Sequence, residues 1–85
     1  LNIFTASNDD TEIFLKSKTG AALTIRVVRN NTLINLDAAS ATKDEHESIK
    51  LMQDGAEFKL KTGDRIIVDA KLDGYKDARI LTIVR

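Results

Sequence analysis

The sequence predicts an all-β fold, a small antiparallel β-sandwich, and two short turns between alternating runs carry that prediction. Asn30-Asn31 and Asp54-Gly55 are dipeptides that favour the positive φ angles of a two-residue hairpin turn. Apolar and polar residues alternate on both sides of each turn, which is the period of a strand with one buried face. The 85 residues are enough for a single β domain, residues 1–85, with a modest core.

The first predicted hairpin joins strands 22–29 and 32–37 through Asn30-Asn31. Arg29 and Thr32 are the predicted pair beside the turn. A slip of one residue would move every side chain to the opposite face, so the register follows from the apolar pattern. The pairs expected on the buried face are Val27 with Ile34 and Ile25 with Leu36.

The second predicted hairpin joins strands 48–53 and 56–61 through Asp54-Gly55. Gln53 is expected to pair with Ala56 beside the turn. The same register places two apolar pairs on one face and a pair of lysines on the other. These pairs are Leu51 with Phe58, Ile49 with Leu60, and Lys50 with Lys59.

Shorter alternating runs predict four further strands, at residues 1–5, 12–17, 65–72 and 78–84. A five-residue loop joins the last two strands and sets Leu72 opposite Ala78. We expect residues 38–47 to form an exposed loop, although they also match the capping box of one helical turn. With the short run 1–5 counted as optional, these segments are seven or eight strands. This number and spacing are typical of an immunoglobulin-like sandwich of about seven strands, with a small OB-like or SH3-like barrel as the alternative.

Composition excludes several kinds of function. The chain has no cysteine, so it has neither disulfides nor thiolate metal sites. Its 13 basic and 13 acidic residues cancel, so no net field attracts nucleic acid or an anionic membrane. No apolar stretch approaches the roughly 20 residues of a membrane span. We therefore expect no membrane span and no cofactor.

The only histidine, His46, gives no support for catalysis. It lies in the polar segment Lys-Asp-Glu-His-Glu-Ser, and Lys50 stands where a His-Glu-x-x-His zinc motif needs its second histidine. We expect His46 to be a solvated loop residue and the protein not to be an enzyme.

Two acidic groups resemble calcium-ligand sets, because hard oxygen ligands from loops can converge on that ion. Neither group follows the order of an EF-hand, so we interpret both as turn formers on charged surface and expect no calcium site. The groups are Asn8, Asp9, Asp10 and Glu12, and Asp69, Asp73 and Asp77.

Two surfaces are candidates for binding. On the outward side of the first hairpin, an apolar pair lies beside polar residues and predicts a protein-contact surface. Leu81 and Ile83 add apolar residues to the second face of the last strand. Three lysines of the second hairpin predict an anion surface, although no aromatic ring accompanies them for base stacking. The protein-contact residues are Arg26, Val28, Leu33 and Asn35, and the anion-surface residues are Lys50, Lys59 and Lys61.

The final third of the chain resembles bacterial and phage immunoglobulin-like or carboxypeptidase-regulatory-like modules. In those modules a glycine turn leads into an alternating strand, then a Gly-Tyr loop and a last strand. The matching segments are Lys61-Thr62-Gly63-Asp64, Ile67-Val68-Asp69-Ala70 and Asp73-Gly74-Tyr75-Lys76.

The resemblance implies a non-enzymatic structural or protein-binding module, such as a phage virion accessory domain (decoration or fibre) or a bacterial surface module. The apolar residues on both faces of the first hairpin and of the last strand indicate a protein partner or self-assembly. The resemblance favours a virion or bacterial surface over the cytoplasm. The alternative is a small nucleic-acid-binding barrel that uses Lys50, Lys59 and Lys61.

Overall fold

Ten strands and no helix make up the described part of the chain, which is residues 1–3 and 5–85 of a computed structural model. Every strand pairing is antiparallel, which confirms the predicted all-β class. Phe4, part of the predicted first strand, lies outside the described residues. The strands are β1 (Asn2–Ile3), β2 (Glu12–Lys16), β3 (Ala22–Arg29), β4 (Thr32–Asn35), β5 (Ala39–Ser40), β6 (Glu47–Lys50), β7 (Met52–Gln53), β8 (Ala56–Glu57), β9 (Arg65–Lys71) and β10 (Ala78–Ile83).

The described strands form a five-stranded, a three-stranded and a two-stranded sheet. The five-stranded sheet has the order β10-β9-β3-β4, and β5 pairs with the opposite end of β3. The three-stranded sheet has the order β1-β2-β6, and β7 pairs with β8 in a separate small ribbon. The two larger sheets share one apolar core because β2, β3 and β9 bury alternate side chains. Its most buried members are Leu15, Leu23, Ile25, Leu51, Leu60, Ile66, Val27, Val68 and Val84.

The structure confirms the first predicted hairpin. Asn30 and Asn31 have φ angles of 50° and 61°, as a two-residue turn of this kind requires. Arg29 pairs with Thr32 and Val27 with Ile34. The next predicted pair also forms, since the Leu36 amide donates to the Ile25 carbonyl at 3.0 Å.

The second hairpin forms only beside its turn. Gln53 pairs with Ala56, and the Phe58 amide donates to the Leu51 carbonyl at 2.9 Å. Asp37 supports the turn, since its two carboxylate oxygens accept the amides of Asp54 at 3.0 Å and Gly55 at 2.9 Å. The prediction is therefore correct for the turn and for the first pairs that follow it.

Further from this turn, the predicted pairs of Ile49 with Leu60 and Lys50 with Lys59 are wrong. Leu60 hydrogen bonds to the 9–10 turn instead, and β6 pairs with β2. The pairing with β2 extends an apolar ladder and brings opposite charges together, whereas two facing lysines repel. The observed pairs are Ile49 with Ile13 and Lys50 with Glu12.

The last strand pair forms in a register two residues from the predicted one. Ala78 lies opposite Ala70 rather than Leu72, and Thr82 lies opposite Ile66. Leu72 instead begins a hydrogen-bonded turn in which its carbonyl accepts the Tyr75 amide at 3.1 Å. A shift of two residues keeps every side chain on its predicted face.

The segment predicted as a loop, residues 38–47, contains one short strand and no helical turn. β5 pairs with β3 through Ala39 and Ser40. The Thr42 amide and hydroxyl donate to the Glu47 carboxylate at 3.0 and 2.8 Å. The predicted capping box would pair Thr42 with Glu45, so the partner of Thr42 lies two residues further along the chain. These bonds, led by the one from the Thr42 amide, hold the pKa of Glu47 below its usual value.

Candidate protein-contact site

The five-stranded sheet aligns its outward side chains in rows across four strands. One row contains Leu33, Val28, Arg65 and Ile83, in the order β4, β3, β9 and β10. The next row contains Asn35, Arg26, Ile67 and Leu81 in the same order. These eight residues are called the outer face below. The four predicted contact residues therefore lie together in one half of it.

An apolar band crosses the outer face. Ile83, Leu81 and Leu33 are 65%, 62% and 49% exposed, while Val28 and Ile67 are half-buried between them. A single exposed apolar side chain is ordinary, whereas large apolar patches are typical of contact sites, so this band is a candidate. The opposite faces of the same strands are buried in the core, so this band is a second, separate apolar surface.

An ion-pair network borders the apolar band in the next row of the sheet. The Asp69 carboxylate accepts hydrogen bonds from Arg79 Nε at 2.6 Å and from Arg26 Nη2 at 2.9 Å. Both bonds lower the pKa of Asp69, and the bond from Arg79 has the larger effect. Arg65 adds a further positive charge within the band, between Val28 and Ile83 in its row. Three arginines against one aspartate give this region a surplus of two positive charges.

The sequence identified only part of this site. Arg26, Val28, Leu33 and Asn35 follow from the register of one hairpin, and the last strand already showed two outward apolar residues. Arg65 and Ile67 were missed because they join the face through the pairing of β9 with β3. No local pattern in the sequence reports that long-range pairing.

The three lysines of the predicted anion surface lie on two separate segments. Lys50 is on β6, opposite Glu12, whereas Lys59 and Lys61 follow β8. The Lys61 ammonium binds the Asp9 carboxylate, and this hydrogen bond lowers the pKa of Asp9. Two of the three lysines therefore lie beside carboxylates of the chain itself.

The first of the predicted acidic groups is used within turns. Asn8 Oδ1 accepts the Thr62 amide at 3.1 Å, and Asp10 Oδ2 accepts the Ser7 amide at 2.9 Å. Within residues 1–3 and 5–85, no three His, Asp or Glu side chains lie close enough together to hold a metal ion.

His46 differs from its prediction as a solvated loop residue. It is only partly exposed, and its ring stacks on Phe14 with centroids 5.5 Å apart and planes 15° apart. This contact fixes the loop that precedes β6 against β2.

A small cleft lies at the end of the sheet near Tyr75, where the Lys18 ammonium stands 5.6 Å from the ring centroid. Its volume is about 160 Å³. This is below the roughly 300–1,000 Å³ of most small-molecule pockets. A wider groove of about 450 Å³ borders the outer face, where Thr24, Asp69, Lys71 and Arg79 are among its lining residues. The outer face is the stronger candidate site because its exposed apolar residues lie next to the ion pair of Asp69 with Arg79.

Comparison of the chain with protein-family models, curated proteins and solved structures gave no match. The resemblance of the final third to immunoglobulin-like modules, and the choice between sandwich and small barrel, stay predictions. No described residue belongs to a helix long and apolar enough to cross a membrane.

Proposed function

We propose that the chain is a non-enzymatic protein-binding module and that the outer face is its contact surface. The exposure of Ile83, Leu81 and Leu33 on one face carries this proposal. Burying the part of each side chain that is still exposed would contribute about 1 kcal/mol to binding.

The arginines beside and within the apolar band suit a protein interface, because arginine is enriched at protein interfaces. Arg65 lies within the band, between Val28 and Ile83 in its row. Arg26 and Arg79 are already held by Asp69, so binding a partner costs them little further side-chain entropy. The outer face thus combines apolar area with partly ordered cations.

The carboxylates with lowered pKa values support a structural role rather than catalysis. Each one has a partner within the chain that explains its shifted pKa. The partners are Arg29 for Asp64, Thr42 for Glu47, Thr19 for Asp44, Arg79 for Asp69 and Lys61 for Asp9.

The concrete form of the proposal is a phage virion accessory domain or a bacterial surface module that attaches to a larger assembly. The resemblance of the final third to such modules supports this form. A small domain can attach a fibre or decorate a particle through one sheet face alone.

Nucleic-acid binding through Lys50, Lys59 and Lys61 ranks second, because Glu12 and Asp9 offset two of these charges. It predicts gel retardation of single-stranded DNA or RNA that weakens steeply as salt rises. If a variant with glutamine in place of all three lysines no longer retards the nucleic acid, this alternative is favoured over the outer face.

The proposal is tested with Leu81→Lys combined with Ile83→Lys. Purified tagged protein is incubated with extract of the cells or particles that contain it, and retained proteins are identified by mass spectrometry. Each identified protein is then titrated in pure form against the wild type and the variants. We expect the double variant to lose the partner and Phe14→Lys, a matched change on the other sheet, to retain it.

Equal affinity of a purified partner for the wild type and the double variant would contradict the proposal. Melting curves of all three proteins verify that a loss of binding does not reflect unfolding.

A further inference from the structure

β4 forms one edge of the five-stranded sheet, and within the described residues it pairs with β3 alone. Thr32 and Ile34 lie opposite Arg29 and Val27 at the hydrogen-bonded positions of the hairpin, so their backbone groups point towards β3. In an antiparallel strand this direction alternates. The amide and carbonyl of Leu33 therefore point away from the sheet, as do those of Asn35.

Natural edges are protected against pairing with another strand by being very short, or by charged residues, proline or a β-bulge. This edge has only the first of these protections, its length of four residues. The sequence of β4 is Thr-Leu-Ile-Asn, and its register with β3 is continuous. The opposite edge is partly covered, since Arg85, just after β10, exchanges backbone hydrogen bonds of 2.9 Å with Ala6 and Asn8.

The free stretch of this edge is short. Beyond Asn35, the Asp37 amide donates to the Met52 carbonyl at 2.8 Å, so the β7-β8 ribbon occupies the next position. A second strand must therefore lie from Asn35 towards the Asn30-Asn31 turn, with its centre near Leu33.

We propose that β4 is a self-association site and that its occupant is β4 of a second copy of this chain, antiparallel about a two-fold axis beside Leu33. The two Leu33 residues then lie opposite each other and exchange N–H to C=O hydrogen bonds. Each Leu33 side chain, 49% exposed in the single chain, packs against its counterpart beside Val28.

Charge favours this arrangement over packing of two outer faces. Face-to-face packing would set the surplus positive charge of Arg26, Arg65 and Arg79 against itself. Edge pairing opposes only uncharged residues, and it joins two five-stranded sheets into one. The outer faces stay open, so a pair of chains would present a doubled surface to another partner.

The area available sets the expected strength. A four-residue edge buries much less than the roughly 1,200 Å² of a standard stable interface. The pair is therefore a weak dimer that dissociates on dilution.

Leu33→Cys tests the geometry directly, because the chain has no other cysteine. Residues at a hydrogen-bonded antiparallel pair have Cα atoms about 5.5 Å apart, within the range that a disulfide spans. Under mild oxidation we expect Leu33→Cys to become a covalent dimer at least tenfold faster than Leu81→Cys. Leu81 is the matched control, since it is even more exposed but lies on β10.

Sedimentation of the unmodified chain provides the second measurement. We expect its average mass to rise from monomer towards dimer as concentration increases. Leu33→Pro should stay monomeric because it removes an outward N–H without breaking a bond to β3, whereas Leu33→Ala should still dimerise, more weakly.

A mass that stays monomeric at the highest attainable concentration would overturn the proposal. Disulfide formation by Leu81→Cys at the rate of Leu33→Cys, or faster, would also overturn it and would indicate random collision or contact between outer faces. If Leu33→Pro fails to fold, the comparison of the two cysteine variants decides. The Leu81→Lys and Ile83→Lys changes leave β4 intact, so failure of the proposed function is distinguishable from failure of this dimer.

Discussion

Arg29 binds Asp64 through two hydrogen bonds, from Nε to Oδ1 at 3.0 Å and from Nη2 to Oδ2 at 2.7 Å. Asp64 is only 2% exposed, and its carboxylate also accepts the Lys61 amide at 2.8 Å. The Arg29 guanidinium lies over the Phe58 ring, 4.9 Å from its centroid. This ion pair therefore fastens the end of the first hairpin to the turn before β9.

The ion pair makes stability depend on pH in the acid range. The hydrogen bonds from Arg29 hold the pKa of Asp64 below its usual value. Asp64 therefore binds a proton more readily in the unfolded chain than in the folded one. The contribution of the ion pair to the free energy of unfolding is complete above about pH 5, and it is lost as the pH falls through the pKa of Asp64 in the folded state. In the Arg29→Gln variant, the free energy of unfolding measured with urea should change less with pH between about pH 2 and 5 than in the wild type.

Lys71→Gln is the control for this experiment, since it removes one exposed cation that pairs with Asp77 and not with Asp64. An equal slope of stability against pH in the wild type and Arg29→Gln would show that Asp64 does not respond to Arg29.

Replacing Arg29 also tests how much the planar guanidinium contributes to the free energy of unfolding. Arg29→Ala leaves the Asp64 charge buried without its cation, which should cost about 3 kcal/mol of unfolding free energy. Arg29→Lys keeps the charge but cannot make both hydrogen bonds and the ring contact, so it should recover less than half of that loss. Urea denaturation at pH 7 measures both, and full recovery by lysine would contradict the argument.

The Asp37 carboxylate is expected to stabilise the Asp54-Gly55 turn. Asp37→Ala removes two hydrogen bonds to the turn amides and should cost about 1–2 kcal/mol. Amide hydrogen exchange should accelerate at Asp54 and Gly55, while exchange at Val68 should change only with global stability. Unchanged exchange at the two turn amides would show that Asp37 does not hold them.

Glycine at Asn31 should stabilise the first hairpin. Asn31 has a φ of 61°, where a side chain with a Cβ is strained and glycine is not. Asn31→Gly should therefore raise stability by about 0.5 kcal/mol, and Asn31→Ala should lower it by about 1 kcal/mol. Thermal unfolding of the three proteins tests the order, and an alanine variant as stable as glycine would exclude the proposed turn strain.

The outer face should be dispensable for folding. Leu81→Lys combined with Ile83→Lys should change the unfolding free energy by less than about 1 kcal/mol, because both side chains are mostly exposed. Val68→Ala, on the buried face of the same sheet, should cost about 2 kcal/mol. A larger loss from the double lysine variant than from Val68→Ala would place Leu81 and Ile83 in the core.

Local patterns predicted the hairpins better than the sheets. The Arg29–Thr32 pair is set by a turn of two residues, so the sequence near the turn determines it. The Ile49–Ile13 pair joins residues far apart in the chain, and the alternating pattern around Ile49 fits a partner on β2 as well as one after β8. Periodicity indicates which face of a strand is buried, but it does not rank distant partners.

The same limit applied to the candidate site. Val28 and Leu33 were found because one turn fixes their register, whereas Arg65 and Ile67 depended on the neighbour of β3. Asp69 belongs to an acidic group that the sequence indicates to be charged surface, and its arginine partners depend on the side-by-side arrangement of β3, β9 and β10. Charge pairing across a sheet is a property of strand order, which the sequence alone did not supply.

The pairing of β3 with β9 has a consequence for how fast the chain folds. Leu23 meets Ala70 and Val28 meets Arg65, so the central ladder closes only after a long intervening segment has been ordered. Such non-local ladders raise the contact order and slow folding to milliseconds or seconds. During synthesis on the ribosome, one edge of β3 therefore stays unpaired until β9 has emerged, and an unpaired edge exposes the chain to aggregation in that interval.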